Sequence, residues 1–386
     1  MKNRSLLMIP GPIEFEPAVL AALGAPTTSH VTPDFIETFG NALEQMREVF
    51  LSKDGQPFIL AGSGTLAMDT AGANLVEPGD RALVVSTGYF SDRFAEILER
   101  YGAQVSLVNA PVGGRPSLDD VEHILSKDHY KLMTATHVDT STGVINNIKD
   151  LAALARRYGT LSIVDGVCSV AGEELRMSEW GVDLVLTASQ KAIGVPPGLA
   201  LLIAGPQAIT AFKGRKNPVL NYYADWKNWL PIMENYEARK PSYFATPAVN
   251  LVWALQVSLG QIIKEGMEKR FSRHISISQA FKQGINALGL KQVPLIPDYA
   301  AHTMTAPLFP AGINGPEFLA KVAKAGVILA GGLHPIIRSK YFRIGHMGSV
   351  NMGDILATLS AIETALSECG YAFEKGSAVS AALKAL

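Results

Sequence analysis

The sequence predicts an α/β fold with a large domain, built on a mainly parallel seven-stranded sheet, and a smaller α+β domain towards the C-terminal end. Two patterns predict this fold: short apolar runs alternate with helical segments over the first half of the chain, and the pattern changes after about residue 265. Strands and helices that alternate in this way form parallel sheets with helices on both faces. The 386 residues suffice for one large and one smaller domain.

Seven apolar runs rich in Val, Ile and Leu are the expected strands. In chain order they are "FILAG" (58–62), "RALVVSTG" (81–88), "AQVSLV" (103–108), "KLMTATHV" (131–138), "LSIVDGV" (161–167), "LVLTA" (184–188) and "LALLI" (199–203). The segments between them repeat apolar residues at i, i+3 and i+4, which is typical of amphipathic helices, and mostly end at a glycine. The clearest of these helical segments are "TLAMDTAGANL", "FSDRFAEILERYG", "SLDDVEHILSK" and "IKDLAALARRYG".

The second half of the chain is less regular. We expect residues 213–241, rich in Trp, Tyr and Asn, to form a loop, and residues 247–266 to form a long apolar helix. The pattern then changes to helix, strands and helix, with a closing helix from Met352. We therefore divide the chain into an N-terminal segment (1–18), a large domain (19–264) and a small domain (265–386), which the N-terminal segment is expected to join.

Composition argues against several classes of partner. The 34 basic and 35 acidic residues give a net charge of -1 without a basic cluster, so neither a nucleic acid nor an anionic membrane is an expected partner. No apolar run reaches 18 residues, and proline interrupts the start of the sequence too soon for a signal peptide. Cys168 and Cys369 lack metal-ligand spacing and suit a reducing compartment, and no metal is expected. The last residues, Lys384-Ala385-Leu386, do not support peroxisomal targeting.

Functional residues are expected where the strands end, since the carboxyl ends of parallel strands meet at one edge of the sheet. The residues at these ends are Ser63-Gly64-Thr65, Phe90, Asp139-Thr140, Asp165 and Gln190-Lys191. A lysine and a carboxylate at such an edge suit pyridoxal phosphate, which needs an amine for its Schiff base and a carboxylate to keep its pyridine nitrogen protonated. That cofactor also needs an aromatic ring to stack on and a site for its phosphate.

The stretch "AGSGTLAMD" (61–69) is the candidate phosphate cup. A glycine turn that opens a helix offers free N–H groups and hydroxyls to a phosphate, although a purely structural turn is an equally open interpretation. The dinucleotide-binding pattern G-x-G-x-x-G is absent, because residue 67 is not a glycine. Its absence argues against a nicotinamide-dependent dehydrogenase.

Six segments resemble, in order, the signature segments of class V pyridoxal-phosphate aminotransferases. They are "AGSGTLAMD", "HVDTSTGVI", "IVDGVCS", "TASQKAIGVPPG", "YFATPAVNL" and "RIGHMG", and the resemblance runs from about Leu6 to about residue 366. It implies the type I fold of pyridoxal-phosphate-dependent transferases and transamination in two half-reactions. It also implies alanine or serine as the amino donor and glyoxylate as the acceptor, with glycine as product.

The resemblance implies a role for each residue at the strand ends. Lys191 would hold the cofactor aldehyde and then move a proton between substrate and cofactor, and Asp165 would pair with the ring nitrogen. Thr140 would reach the ring hydroxyl. Phe90, where many relatives carry tryptophan, would stack on the ring. Arg343 would bind the α-carboxylate of the substrate through its planar guanidinium.

The resemblance also implies a homodimer with shared active sites. The phosphate cup would comprise Ser63, Gly64, Thr65 and Gln190, completed by Tyr243 and Thr246 from the other chain. Two histidines have open roles. His30 is a candidate to line the substrate pocket from the other chain, and His346 either approaches the site or is a buried structural residue.

The sequence leaves several alternatives open. A cysteine desulfurase or related lyase usually has histidine before its Schiff-base lysine and a nucleophilic cysteine on a mobile loop, whereas here Gln190 precedes Lys191 and Cys168 is expected in packed structure. Phosphoserine aminotransferase shares the Gln-Lys pair, but no further basic cluster is assigned to a substrate phosphate. A binding protein without a cofactor, built on the same kind of sheet, is a further alternative, and a colourless purified protein would support it. The cytoplasm is the favoured compartment, with peroxisome and mitochondrion as alternatives.

Overall fold

The computed structural model describes residues 5–385. The strands are β1 (Leu6–Leu7), β2 (Gln56–Gly62), β3 (Arg81–Ser86), β4 (Gln104–Asn109), β5 (Leu132–Thr136), β6 (Val138–Asp139), β7 (Val144–Ile145), β8 (Leu161–Asp165), β9 (Leu184–Ala188), β10 (Gly198–Ala204), β11 (Met304–Thr305), β12 (Val327–Ile328), β13 (Ala330–Gly331) and β14 (Phe342–Gly345). The helices are α1 (Pro17–Leu23), α2 (Pro33–Val49), α3 (Gly64–Leu75), α4 (Tyr89–Arg100), α5 (Leu118–Leu125), α6 (Ile148–Arg157), α7 (Met177–Trp180), α8 (Pro206–Lys213), α9 (Trp226–Glu237), α10 (Val249–Glu265), α11 (Met267–Ala287), α12 (Gly315–Lys324), α13 (Met352–Glu368) and α14 (Ser377–Lys384).

The central sheet has seven strands in the order β2-β10-β9-β8-β5-β3-β4, which confirms the predicted fold class. The pairs from β9 to β4 are parallel, and β10 is antiparallel to both of its neighbours. Parallel strands need a long crossover, usually a helix. Only residues 189–197 separate β9 from β10, so the chain turns back directly and β10 runs the other way.

Apolar side chains form two cores. The first lies around the seven-stranded sheet and includes Phe58, Val84 and Leu201. The second lies among α11, α12, α13 and the short strands of the C-terminal part, and it includes Phe281 and Phe342. Two cores are consistent with two domains, and the division into residues 1–18, 19–264 and 265–386 stays a prediction.

The N-terminal segment packs on the C-terminal part of the chain. Leu6 and Leu7 pair in parallel with Val327 and Ile328, and the buried Met8 belongs to the second core. The segment then passes very close to β14, where a Cβ added to Gly345 would lie 2.6 Å from Cα of Pro10. This path brings residues 9–12 over the carboxyl edge of the central sheet.

The expectation of a loop over residues 213–241 is wrong for its second half, which forms helix α9. Asp225 caps the helix by accepting a hydrogen bond from the Lys227 N–H (2.8 Å). The buried residues recur at helical spacing and are Trp226, Trp229, Ile232, Met233 and Tyr236. The aromatic residues suggested an irregular segment, but the buried residues recur at spacings of three and four, as in an amphipathic helix.

Among residues 5–385, no helix is both long enough and apolar enough to cross a lipid bilayer.

Candidate active site

The sheet topology brings the strand-end residues together. The strands β2, β3, β5, β8 and β9 all end at the same edge, because β2 and β9 each run antiparallel to β10 and are therefore parallel to one another. The residues at these strand ends or shortly after them are those expected from the sequence: Ser63-Gly64-Thr65, Phe90, Asp139-Thr140, Asp165 and Gln190-Lys191.

Lys191 lies in a tightly bonded turn after β9. The Ser189 hydroxyl donates to the Pro196 carbonyl (2.8 Å) and accepts from the Leu199 N–H (3.1 Å). The Val195 N–H donates to the Ser189 carbonyl (2.9 Å), and the Gly194 N–H to the Lys191 carbonyl (2.8 Å). These bonds fix the backbone from which the lysine side chain extends.

The Lys191 side chain is buried, with 7% of the residue exposed. Its Nζ donates a hydrogen bond to the Pro10 carbonyl. Burial lowers the pKa of the amine, the nearby Arg343 lowers it further, and Cys168 and Asp165 oppose the shift. The lowered pKa favours the neutral amine, which is the form that reacts with an aldehyde.

The sequence reasoning missed the N-terminal segment as part of this site. A Cβ added to Gly11 would lie 2.5 Å from Cδ and 2.8 Å from Nζ of Lys191, and the residue has φ of +100°. Glycine at this position lets the backbone lie against the lysine. The sequence signal was "IPGP" (9–12), an apolar turn that could have been assigned to a site only with its partner known.

Asp165 ends β8 and is 2% exposed. Its carboxylate accepts hydrogen bonds from the Val167 N–H (2.9 Å) and the Thr136 hydroxyl (3.4 Å). Burial raises its pKa to about 7, and the nearby Asp139 adds to the shift while Lys191 opposes it. A buried carboxyl of this kind gains a favourable partner when a cation, such as a protonated pyridine, lies beside it.

Asp139 is a residue of the site to which the sequence analysis gave no role. It is fully buried, and its carboxylate accepts from the N–H groups of Phe90 (3.2 Å) and Ser141 (2.9 Å) and from the hydroxyls of Ser91 (3.3 Å) and Ser141 (2.6 Å). Burial raises its pKa, although these hydrogen bonds oppose the shift. The carboxylate thus fixes the start of α4 and with it the position of the Phe90 ring.

Arg343 lies on β14 next to Thr140. Its Nε donates to the Gly331 carbonyl (2.8 Å) and its Nη1 to the Thr140 carbonyl (3.1 Å). Burial lowers the pKa of the guanidinium. Two of its nitrogens are held by the protein, and Nη2 has no hydrogen-bond partner within residues 5–385, so it is free for a carboxylate ligand.

The candidate phosphate cup lies at the N-terminus of α3. Gly64 is buried there, and a Cβ on it would lie 2.9 Å from Cγ2 of Val167. Ser63 and Thr65 on either side are exposed. The side-chain oxygen of Gln190 is buried without a hydrogen-bond partner in the described part of the chain. Free helix N–H groups, two hydroxyls and the NH2 group of Gln190, whose side chain forms no hydrogen bond in the described part of the chain, are donors that fit the phosphate of pyridoxal phosphate. The buried amine and carboxyl fit its aldehyde and ring nitrogen.

The remaining candidates lie outside this cluster. Tyr243 is 64% exposed, and its ring lies 5.1 Å from that of His30 between centroids. Thr246 is also exposed. His346 is fully buried, and its Nε2 lies 2.8 Å from the Thr305 hydroxyl. Burial lowers its pKa to about 3, which favours the structural interpretation of this residue.

These features define an enzyme that uses a buried amine to react with a carbonyl cofactor. Comparison with known proteins gives the family. The model of the aminotransferase class-V family matches residues 19–349. The chain is 43% identical over 360 residues to alanine–glyoxylate aminotransferase 1 of Saccharomyces cerevisiae, covering 90% of this chain and 93% of the relative.

Two further proteins agree with that match. Serine–glyoxylate aminotransferase of Arabidopsis thaliana is 32% identical, with 98% of this chain and 94% of the relative covered. The crystal structure of ureidoglycine–glyoxylate aminotransferase from Bacillus subtilis superposes with a TM-score of 0.93 at 28% identity, covering 100% of this chain and 98% of the other. The chain belongs to the class V aminotransferase family and is a pyridoxal-phosphate-dependent transaminase.

The raised pKa of Asp165 predicts a pH effect on the stability of the cofactor-free protein. Between about pH 4 and 7 the folded protein keeps the Asp165 proton and the unfolded chain releases it, so stability falls as pH rises through this range. We expect Asp165→Asn to remove this fall, which is on the order of 2 to 4 kcal/mol. Denaturant unfolding of both proteins from pH 4 to 7.5 measures it. If the stability of the two proteins changed with pH in the same way, the raised pKa of Asp165 would be contradicted.

Proposed function

We propose that this transaminase transfers the amino group of alanine or serine to glyoxylate, giving glycine and pyruvate or hydroxypyruvate. The observation that carries the proposal is the buried amine of Lys191, which lies within electrostatic range of both Asp165 and Arg343. The names of the yeast and Arabidopsis relatives, an alanine–glyoxylate and a serine–glyoxylate aminotransferase, support this choice of substrates.

Substrate binding is assigned to Arg343. Amino acids and 2-oxo acids share an α-carboxylate, so one guanidinium serves both half-reactions. The carbonyls of Gly331 and Thr140 hold its Nε and Nη1 and fix the plane of the group. A carboxylate bound in a fixed plane also sets the direction of the bond that must break at the substrate Cα.

Proton transfer is assigned to Lys191. Pyridoxal phosphate, when bound, supplies an aldehyde that takes up the substrate amino group and a protonated ring that withdraws electrons from the substrate Cα. The neutral Nζ of Lys191 accepts the Cα proton and later returns it, since burial lowers the pKa of this amine. Asp165 provides the negative charge that keeps the ring nitrogen protonated.

A cysteine desulfurase activity is disfavoured by both cysteines. Cys168 is 1% exposed, its Sγ lies 4.0 Å from Sδ of Met304, and burial raises its pKa. A thiol in this environment is a poor nucleophile. Cys369 follows helix α13 and packs against the second core. Cys168 lies near Lys191 at the sheet edge, but it is packed in the buried turn that follows β8, and Cys369 lies against the other core.

We further propose a homodimer in which Tyr243 and Thr246 of each chain complete the phosphate cup of the other. Both are exposed in the single chain, although a phosphate ligand would need their hydroxyls at a site. The adjoining surface is also apolar: Tyr222 is 77% exposed and contacts Phe244, with ring centroids 5.6 Å apart, and Leu220 is 87% exposed. Exposed apolar side chains of this size are typical of a surface that a second chain covers.

The cytoplasm is our proposal for the location of the enzyme. Cys168 and Cys369 are both free, and free thiols suit a reducing compartment.

A spectral titration of the cofactor-loaded protein tests the proposed reaction. L-alanine or L-serine should remove the visible absorption band of the bound cofactor, and glyoxylate should restore it. The Lys191→Ala variant should show neither change, since it lacks the amine that moves the proton. A response to L-cysteine alone, with release of sulfide, would instead place the enzyme among the lyases.

Mixed dimers test the shared site. A dimer of one Lys191→Ala chain and one Tyr243→Phe/Thr246→Ala chain would contain one site with all the defects and one intact site. Random mixing of the two variants should therefore recover about a quarter of wild-type activity at limiting cofactor.

A second pair of variants is the matched control. Lys191 and Arg343 lie together within one chain, so Lys191→Ala mixed with Arg343→Gln leaves every site with one defect and should recover nothing. Equal recovery in the two mixtures, or none in either, would contradict a cup built from both chains.

A further inference from the structure

Arg93 is a cation near the active site that the reaction derived above does not use. It lies on α4, one turn after Phe90. Its Nη1 donates to the hydroxyl of Thr65 (3.0 Å), and its Nη2 donates to the hydroxyl of Tyr89 (3.1 Å). Its guanidinium carbon lies 5.0 Å from the centroid of the Phe90 ring and 4.9 Å from that of Tyr89. One side chain therefore links the candidate phosphate cup with the candidate stacking ring.

The charges around Arg93 favour the binding of an anion. The N-termini of α3 and α4 carry partial positive charge, and Arg93 adds a full positive charge between them. The buried Asp139 accepts hydrogen bonds from the first N–H groups of α4, whereas no carboxylate in the described part of the chain forms an ion pair with Arg93. A dianionic phosphate at the start of α3 would supply the missing negative charge.

The hydrogen bond from Arg93 also determines whether the Thr65 hydroxyl can donate to a ligand. A threonine hydroxyl has one hydrogen to donate and two lone pairs to accept with. Because Arg93 has no acceptor, Thr65 Oγ1 must accept in this contact, and its own hydrogen points elsewhere. The Thr65 hydroxyl is thus oriented as a donor, which is what a phosphate oxygen requires.

The contact between Arg93 and Phe90 concerns the cofactor ring and not its phosphate. A guanidinium over one face of the Phe90 ring fixes the tilt of the ring and leaves the opposite face for a planar ligand. A single phenylalanine ring offers little stacking area, so its orientation determines how much of that area a planar ligand meets.

We propose that Arg93 is a positioning residue for the phosphorylated cofactor: it orients the Thr65 hydroxyl towards the phosphate, supplies charge to that end of the site and holds the Phe90 ring. The proposal rests on the phosphate cup proposed above. It predicts that Arg93 distinguishes pyridoxal phosphate from pyridoxal, which lacks the phosphate.

Titration of the cofactor-free protein with each of these two ligands tests the proposal. Arg93→Gln should raise the Kd for pyridoxal phosphate about 10- to 100-fold, since it removes a charged donor near an anion. The Kd for pyridoxal should change much less. Arg93→Lys keeps the charge but loses the planar fork, so it should fall between wild type and Arg93→Gln.

Two controls separate this role from a loss of structure. Arg100→Gln removes an exposed arginine from the last turn of the same helix and should bind both ligands as the wild type does. In a double-mutant cycle, Thr65→Val and Arg93→Gln should be non-additive for pyridoxal phosphate, because they remove the two partners of one contact.

Three results for the variants would overturn the role of Arg93 alone. The first is an equal loss of affinity for pyridoxal phosphate and pyridoxal in Arg93→Gln. The second is an unchanged Kd of this variant for pyridoxal phosphate, and the third is strict additivity of Arg93→Gln with Thr65→Val. Failure of the phosphate cup itself would look different, since the wild-type protein would then bind pyridoxal phosphate no more tightly than pyridoxal. That last result would overturn both the cup and the role of Arg93.

Discussion

The structure depends on one constraint: an amine, Lys191, must be buried beside a carboxyl, Asp165, without the two neutralising each other. Lys191 instead donates to the Pro10 carbonyl, and burial shifts the two pKa values towards the neutral forms. Burying isolated charges is costly, so both groups favour a state in which a cofactor supplies their partners. The aldehyde and the ring nitrogen of pyridoxal phosphate are such partners.

The backbone that carries Lys191 is held from outside the sheet. Arg270, 6% exposed on α11, donates to the carbonyls of Ala192 (2.7 Å) and Ala171 (2.6 Å) and pairs with Glu265 (2.7 Å). The Ser258 hydroxyl donates to the Ile193 carbonyl (2.5 Å). Bonds from two helices to consecutive residues after the lysine fix its position more firmly than the strand end alone could, as proton transfer requires.

The sequence predicted the strand ends well because alternation and periodicity are local signals. It predicted the places of Lys191 and Asp165 for the same reason, since Asp165 ends the buried strand β8 and Lys191 lies three residues after the buried strand β9. It missed Pro10 and Gly11 and gave Asp139 no role, because the roles of these residues come from contacts between segments far apart in the chain. The helix α9 was mistaken for a loop because its many aromatic residues obscured a regular spacing. Residue pairs such as Arg93 with Thr65 become visible only when two helix N-termini lie side by side.

The central claim is that Lys191, and no other amine, binds the cofactor. Borohydride reduction of the protein loaded with pyridoxal phosphate, followed by peptide mapping with mass spectrometry, tests it most directly. The account predicts a phosphopyridoxyl group on Lys191 in stoichiometric amount. The informative competitor is Lys282, since burial lowers its pKa to about 8 and its Nζ donates to the Ala300 and Ala301 carbonyls (3.2 and 2.7 Å). A label on Lys282, or one spread over exposed lysines, would contradict the account.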